Sequence, residues 1–329
     1  MNLYQNLNLN GQDLPSIDPN RKNSLYWNEG KWNNFIKPLL PKGGLEDMTF
    51  VDMGCNAGLF LKMAKDYGFR NVIGVEKSRS TYKEGIKYRD SIGYDYRILN
   101  QTVGVDFNID NLPVADVTLM CNFHYYLHIG DFLEYLDKLR WKTVYCLVVT
   151  SDHNSPSRHW RASGLVADIR NYFRDWQEVG AIYRAKYGSM IKNDPAPRKL
   201  WSILFKSSLR RVNIDNLRWG ASGDIEGRRL LRDEVSNLVV KYGYNFDMSK
   251  TRYYKAWKDR YNLSDEDTNK FVMERIKTMN NVKENGLTKP IWIQLDNKII
   301  DGGHRVAIMK SLGYKSIIGR SVLTSPNGK

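Results

Sequence analysis

No run in the 329 residues approaches the 18 or more consecutive apolar positions of a membrane-crossing helix. The opening MNLYQNLNLNGQDLP also lacks an apolar signal core. A soluble, cytoplasmic protein that is not exported and has no membrane partner is expected. Cysteine is scarce: Cys55, Cys121 and Cys146 leave one over in any pairing and have no metal-ligand spacing. Neither a disulfide framework nor a zinc site is indicated, and reduced thiols are expected. Acidic residues are outnumbered, 36 Asp and Glu against 50 Lys and Arg, for a net charge of +14. No repeat of fixed period runs along the chain.

What is present is a folding composition, 42% hydrophobic and 12% aromatic, on a chain long enough for two ordinary cores. The positive charge is uneven. Residues 207–329 hold 23 Lys and Arg against 14 acids, and residues 1–206 hold 27 against 22. Arg210, Arg211, Arg218, Arg228, Arg229 and Arg232 lie close together in SLRRVNIDNLRWGASGDIEGRRLLRDE. They read either as a phosphate-contacting face or as a solvated basic surface.

After an Asn-rich arm, LYWNEGKWNNFIKPLLP carries apolar residues at helical spacing and predicts a lead-in helix closed by Pro41 and Gly43–Gly44. Strands and helices then alternate from TFVDMG to TVYCLVVTSD, the rhythm of a mainly parallel, doubly wound α/β sheet. SRHWRASGLVADIRNYFRDW predicts a helix, and EVGAIYRAKYG with KLWSILFKS an antiparallel hairpin. The first domain is expected to span 1–206. The second, 207–329, opens with RRVNIDNL, continues through a charged helical stretch to about 284, and closes with strand, Gly-Gly turn and helix in NKIIDGGHRVAIMKSLGY. Each domain thus has one glycine turn of the kind that receives anions.

In FVDMGCNAGLF the first strand ends at Asp52, Gly54 makes the turn, and Gly58 allows close packing of the next helix. The dinucleotide fingerprint G-x-G-x-x-G is absent, because Asn56 stands where a glycine would. The D-x-G-C-N-x-G pattern, Asp52 through Gly58 with Cys55 and Asn56, resembles motif I of class I S-adenosylmethionine-dependent methyltransferases. Glu76, at the tip of the second strand 24 residues after Asp52, stands in register with it. The resemblance implies a Rossmann-like domain holding S-adenosyl-L-methionine. Glu76 would grip the ribose hydroxyls, and Asn100, Gln101 and Val103 would form the adenine edge. Asn122 and His124, after the fourth strand, would stand beside the methyl donor. His124 is read as a general base or as a core residue. A base is useful where the acceptor is an oxygen or nitrogen that must lose a proton.

Motifs that are missing narrow the acceptor. The chain has CNFH where DNA amino-methyltransferases of this fold carry (N/D/S)-P-P-(Y/F), and Cys121 lacks the preceding proline of the cytosine C5 enzymes. Arg158, His159 and Arg161 lie where such enzymes insert substrate-binding segments.

Residues 281–322 resemble the ParB/sulfiredoxin superfamily, through ENGLTKPIWI, a hairpin at Asp296–Asn297, the turn Asp301-Gly302-Gly303-His304-Arg305 and LGYKSI. The similarity covers about 209–329, with an insertion near 219–270, and implies a smaller α+β domain. Gly302 and Gly303 would offer backbone amides, and His304 and Arg305 side-chain donors, to nucleotide phosphates. The resemblance implies ATP or CTP with magnesium, Asp301 as the metal-associated acid and Glu284 as the acid of the preceding motif. Gly303 replaces the reactive cysteine of sulfiredoxins, which excludes that activity. Kinase, nucleotidase, nucleotide-gated switch and DNA-binding module stay open, as does a plain hairpin turn.

The expected protein is therefore a bifunctional, O- or N-directed methyltransferase coupled to a nucleotide- or phosphate-binding domain, acting on nucleic acid or a nucleotide-linked small molecule. Two alternatives stand beside it: a DNA-binding regulator that only senses its ligands, and a small-molecule biosynthetic methyltransferase with a kinase-like second domain. Homodimers are common in both resemblances, and no sequence feature decides the point.

Overall fold

The computed structural model describes residues 8–9, 12–13, 24–102, 107–124, 127–151, 165–184, 199–219 and 225–322. They form two compact units: 1–109 with 115–207, and 208–329 with the short segment 110–114.

The first unit is built on a seven-stranded sheet: β1 (Thr49–Met53), β2 (Asn71–Glu76), β3 (Arg97–Asn100), β4 (Ala115–Cys121), β5 (Thr143–Ser151), β6 (Gln177–Arg184) and β7 (Leu200–Lys206). Their order across the sheet is β3-β2-β1-β4-β5-β7-β6. Strands β1 to β5 pair in parallel, and β7 runs antiparallel between β5 and β6. The predicted hairpin is thus present, with its second strand inserted against β5. Helices α1 (Ser24–Lys31), α2 (Leu59–Tyr67), α3 (Arg79–Ser91), α4 (Ile129–Leu139) and α5 (Leu165–Tyr172) belong to this unit. Every residue of β1 is buried, polar ones included, as expected for a parallel strand covered on both faces. Thr49 donates its amide to Asp116 Oδ2 at 2.8 Å. Phe50, Leu61, Phe69, Leu119, Leu147 and Val149 fill the core.

The lead-in helix departs from expectation. Its α-helical part stops at Lys31, widens into a π turn over Trp32–Ile36 and tightens to a 3-10 turn over Lys37–Leu39. Pro38 cannot donate an amide inside a continuing helix, and the irregular turns seat Trp32, Phe35 and Ile36 in the core. The helix expected over 157–176 is seen as α5 alone, and 157–164 lie outside the described residues.

The second unit has a four-stranded sheet of β8 (Leu209–Asn213), β9 (Ile291–Ile293), β10 (Ile299–Asp301) and β11 (Ser316–Ser321), in the order β8-β11-β9-β10. The charged stretch expected to be helical, which takes in the insertion near 219–270, forms α6 (Ile225–Tyr242), α7 (Arg252–Tyr261) and α8 (Asp265–Asn285). Ser264 caps α8, accepting the Asp267 amide at 3.1 Å, and three acids fill its first turn. The last helix, α9 (Gly303–Ser311), packs on α6 and α8.

Candidate functional site

Strands β3, β2, β1 and β4 run parallel, so their carboxyl ends meet at one edge of the sheet. Between β1 and β4 the order reverses, the position at which doubly wound sheets bind ligands. Asn100, Glu76, Asp52 and Asn122 stand at this edge or just past it. The loop after β1 does not offer its amides to an anion, contrary to expectation. Gly54 and Cys55 both donate to the Val75 carbonyl, at 2.9 and 3.0 Å, and Gly58 donates to the Cys55 carbonyl at 3.0 Å. The Asn56 amide goes to Glu76 Oε2 at 3.0 Å. A phosphate would have to displace these bonds. Gly58, at φ +91°, opens α2 in a left-handed conformation, and a Cβ there would stand 3.3 Å from the Tyr96 ring.

The edge is rich in acceptors instead. Besides the Asn56 amide, Glu76 accepts the Ser78 amide on Oε1 at 2.7 Å, which fixes its carboxylate between two loops. Asp52 Oδ2, Gln101 Oε1 and Asn122 Oδ1 are buried with no hydrogen-bond partner. Asp52 is 1% exposed, and burial, with a smaller push from the Glu76 charge, raises its carboxyl to about 8. Buried acceptors without donors cost free energy, and a ligand bearing hydroxyl, amino or cationic groups removes that cost.

The remaining sequence candidates fall differently. Cys55 is fully buried, and a Cβ on Gly74 of β2 would meet its Sγ at 2.4 Å, so the thiol packs against that strand. Asn100 Nδ2 donates to the Glu76 and Lys77 carbonyls at 2.8 and 3.2 Å and braces the loop after β2. Asn122 adopts a left-handed φ of +56° at the strand tip. His124 has 0% exposure, with Nε2 3.2 Å from Thr150 Oγ1 and its ring against Phe132. A ring with no accessible surface does not meet an acceptor, and this placement suits a core histidine. Val103, Arg158, His159 and Arg161 lie outside the described residues.

In the second unit Gly302 takes φ +99° and starts α9; a Cβ there would lie 2.7 Å from Ile291. The side chains expected to bind phosphate are engaged elsewhere. Arg305 Nη1 donates to the Lys289 and Pro290 carbonyls at 2.9 and 2.6 Å, and Nη2 pairs with Asp301 Oδ2 at 2.6 Å. Arg305 therefore clamps its own turn, and Asp301, expected to be metal-associated, is its counter-charge. His304 Nε2 is 2.6 Å from Tyr253 Oη, and burial, then Arg232, Arg275 and Arg305, lowers its pKa to about 3. Its imidazole is neutral. Glu284 sits exposed on α8, bonded to Asn280 one turn before it, and does not line the cavity at the glycine turn.

That cavity, of about 340 Å³, is bounded by Gly302, Gly303 and His304, by Trp219 and Trp257, and by Arg228, Arg232 and Arg275. Arg228 and Arg232 lie within the basic cluster noted from sequence, and their i, i+4 spacing is the signal that puts both on one face of α6. Sequence reasoning missed Arg275 on α8, Trp257 on α7 and Trp219 in the segment before α6, because only packing brings these three to the turn.

Neither a family model nor a curated protein matches the sequence. Solved structures similar to the chain include a putative S-adenosylmethionine-dependent methyltransferase from Listeria monocytogenes, 16% identical, covering 55% of this chain and 99% of that one, with TM-score 0.41. A SAM-dependent methyltransferase from Aquifex aeolicus is also 16% identical, covering 54% and 92%, with TM-score 0.38. Magnesium protoporphyrin IX methyltransferase from Synechocystis PCC 6803, solved with bound SAH, is 13% identical over 50% of this chain and 76% of its own, with TM-score 0.38.

Proposed function

We propose that the chain is an S-adenosylmethionine-dependent methyltransferase, with the methyl donor held at the carboxyl edge of the seven-stranded sheet. The observation that carries this reading is the set of partnerless buried acceptors, Asp52 Oδ2, Gln101 Oε1 and Asn122 Oδ1, beside a Glu76 carboxylate locked by two amides. The glycine loop has spent four of its amides internally, which disfavours a dinucleotide pyrophosphate and suits a nucleoside without phosphate. Glu76 would receive the ribose hydroxyls, Gln101 would lie toward the adenine, and Asp52 would face the cationic amino acid portion. S-adenosylmethionine supplies a methyl group made electrophilic by its sulfonium. The protein's part is to align an acceptor oxygen or nitrogen with it, which is chiefly positioning.

The second unit is read as a nucleotide- or phosphate-binding module of ParB/sulfiredoxin type, supported by the glycine-opened helix α9 and the basic cavity beside it. Its charge favours nucleic acid or a nucleotide-linked small molecule as methyl acceptor. The test is transfer of label from methyl-labelled S-adenosylmethionine to a panel of nucleotides, RNA and DNA. Label incorporated into one class identifies the acceptor. Binding of the donor with no transfer to any class would favour a ligand-sensing regulator.

A further inference from the structure

The three guanidinium groups lining the second-unit cavity belong to no recognisable motif. Arg228 and Arg232 lie one turn apart on α6, and Arg275 comes from α8. Burial, with repulsion from Arg228 and Arg275, holds the Arg232 guanidinium below the usual arginine range, and its cation rests over the Trp219 ring at 5.1 Å. Arg275 Nε is buried with no hydrogen-bond partner. Among the described residues neither Arg232 nor Arg275 forms an ion pair, and Asp301, the acid on the cavity wall, is already neutralised by Arg305. Arginine does not escape such crowding by deprotonation, so the cluster carries a repulsive cost that an anion in the cavity would relieve. The amino end of α9 at Gly303 adds partial positive charge on the same wall. The cavity lies at the lower end of the range for small-molecule sites and exceeds what a lone phosphate fills, and its tryptophans suit a planar base.

We infer that this cavity binds a small phosphorylated aromatic molecule of nucleotide class without a bridging metal, its phosphoryl oxygens received by Arg228, Arg232 and Arg275 while Arg305 and Asp301 stay paired and shape the turn. This deepens, and rests on, the phosphate-binding reading of the second unit. Calorimetric titration of the full chain with adenosine monophosphate and with inorganic pyrophosphate, in EDTA and in magnesium, tests it. Wild type should bind in EDTA, with affinity falling as salt rises. Arg232→Gln and Arg275→Gln should each weaken binding by about tenfold or more, and Arg232→Lys, which keeps the charge, should weaken it less. Asp301→Asn should not abolish binding. Binding that needs magnesium and is lost in Asp301→Asn, with the arginine variants folded and unimpaired, would overturn the inference and leave the phosphate-binding reading intact. No binding of either probe by wild type under any condition would overturn both.

Discussion

Glu76 accepts the backbone amide of Asn56 at 3.0 Å, and this bond ties the tip of one strand to the loop that leaves its neighbour. The same carboxylate holds the Ser78 amide at 2.7 Å, so one side chain orders both loops of the proposed donor site. Glu76→Ala should therefore leave two amides unmet and lower stability by about 1–3 kcal/mol. It should also weaken S-adenosylmethionine binding by more than about tenfold. Glu76→Gln, which keeps an acceptor oxygen, should recover part of the stability and little of the binding. Thermal unfolding and calorimetry on the two variants separate these effects.

Asp52 supplies a pH signature. Its carboxyl titrates near 8 in the native chain and near the ordinary carboxylate value when unfolded. Between those values the native state binds the extra proton, so this residue makes the chain less stable as pH rises from about 4 to about 8. A cationic ligand favours the ionised form. Affinity for S-adenosylmethionine should then rise with pH up to about 8, with proton release on binding. Asp52→Asn should abolish that release, as read by calorimetry in buffers of different ionisation heat.

His304 gives the opposite signature. Its pKa of about 3 lies below the unfolded histidine value, so the unfolded state binds the extra proton over that interval and stability is lost as pH falls from about 6.5 toward 3. A polyanion in the arginine-lined cavity would offset the repulsion and raise this pKa. Imidazole resonances followed by NMR should show His304 neutral down to pH 5 in the free chain, with its titration moving upward when pyrophosphate is added.

Gly302→Ala should be costly without touching any charge. The residue sits at φ +99°, and the new methyl would stand 2.7 Å from Ile291. A loss of roughly 2–4 kcal/mol is expected from the left-handed backbone and overpacking together, read as a lowered denaturation midpoint.

Much of the first unit was legible from residues 50–60 and 71–77. Apolar strands ending in Asp52 and Glu76, with a glycine loop between strand and helix, leave few alternatives to a parallel βαβ unit. The spending of the loop amides was not legible, because the Val75 carbonyl that takes two of them is an ordinary backbone group on the next strand. The turn at Gly302–Gly303 was foreseen, yet the direction of Arg305 was not: a long side chain can reach forward to a ligand or back to the Lys289 and Pro290 carbonyls, and spacing does not choose. Arg275 reaches the cavity from 43 positions beyond Arg232, through the packing of α8 against α6. The π turn at Trp32–Ile36 answers to core shape rather than to local periodicity.

The most direct measurement is calorimetric titration of the full chain with S-adenosylmethionine and S-adenosylhomocysteine at pH 8, alongside Glu76→Ala. One site per chain for both ligands, lost in the variant while its fold persists, is the predicted result. No binding by wild type, or binding of equal strength in Glu76→Ala, would contradict a methyl-donor site at the carboxyl edge of the sheet.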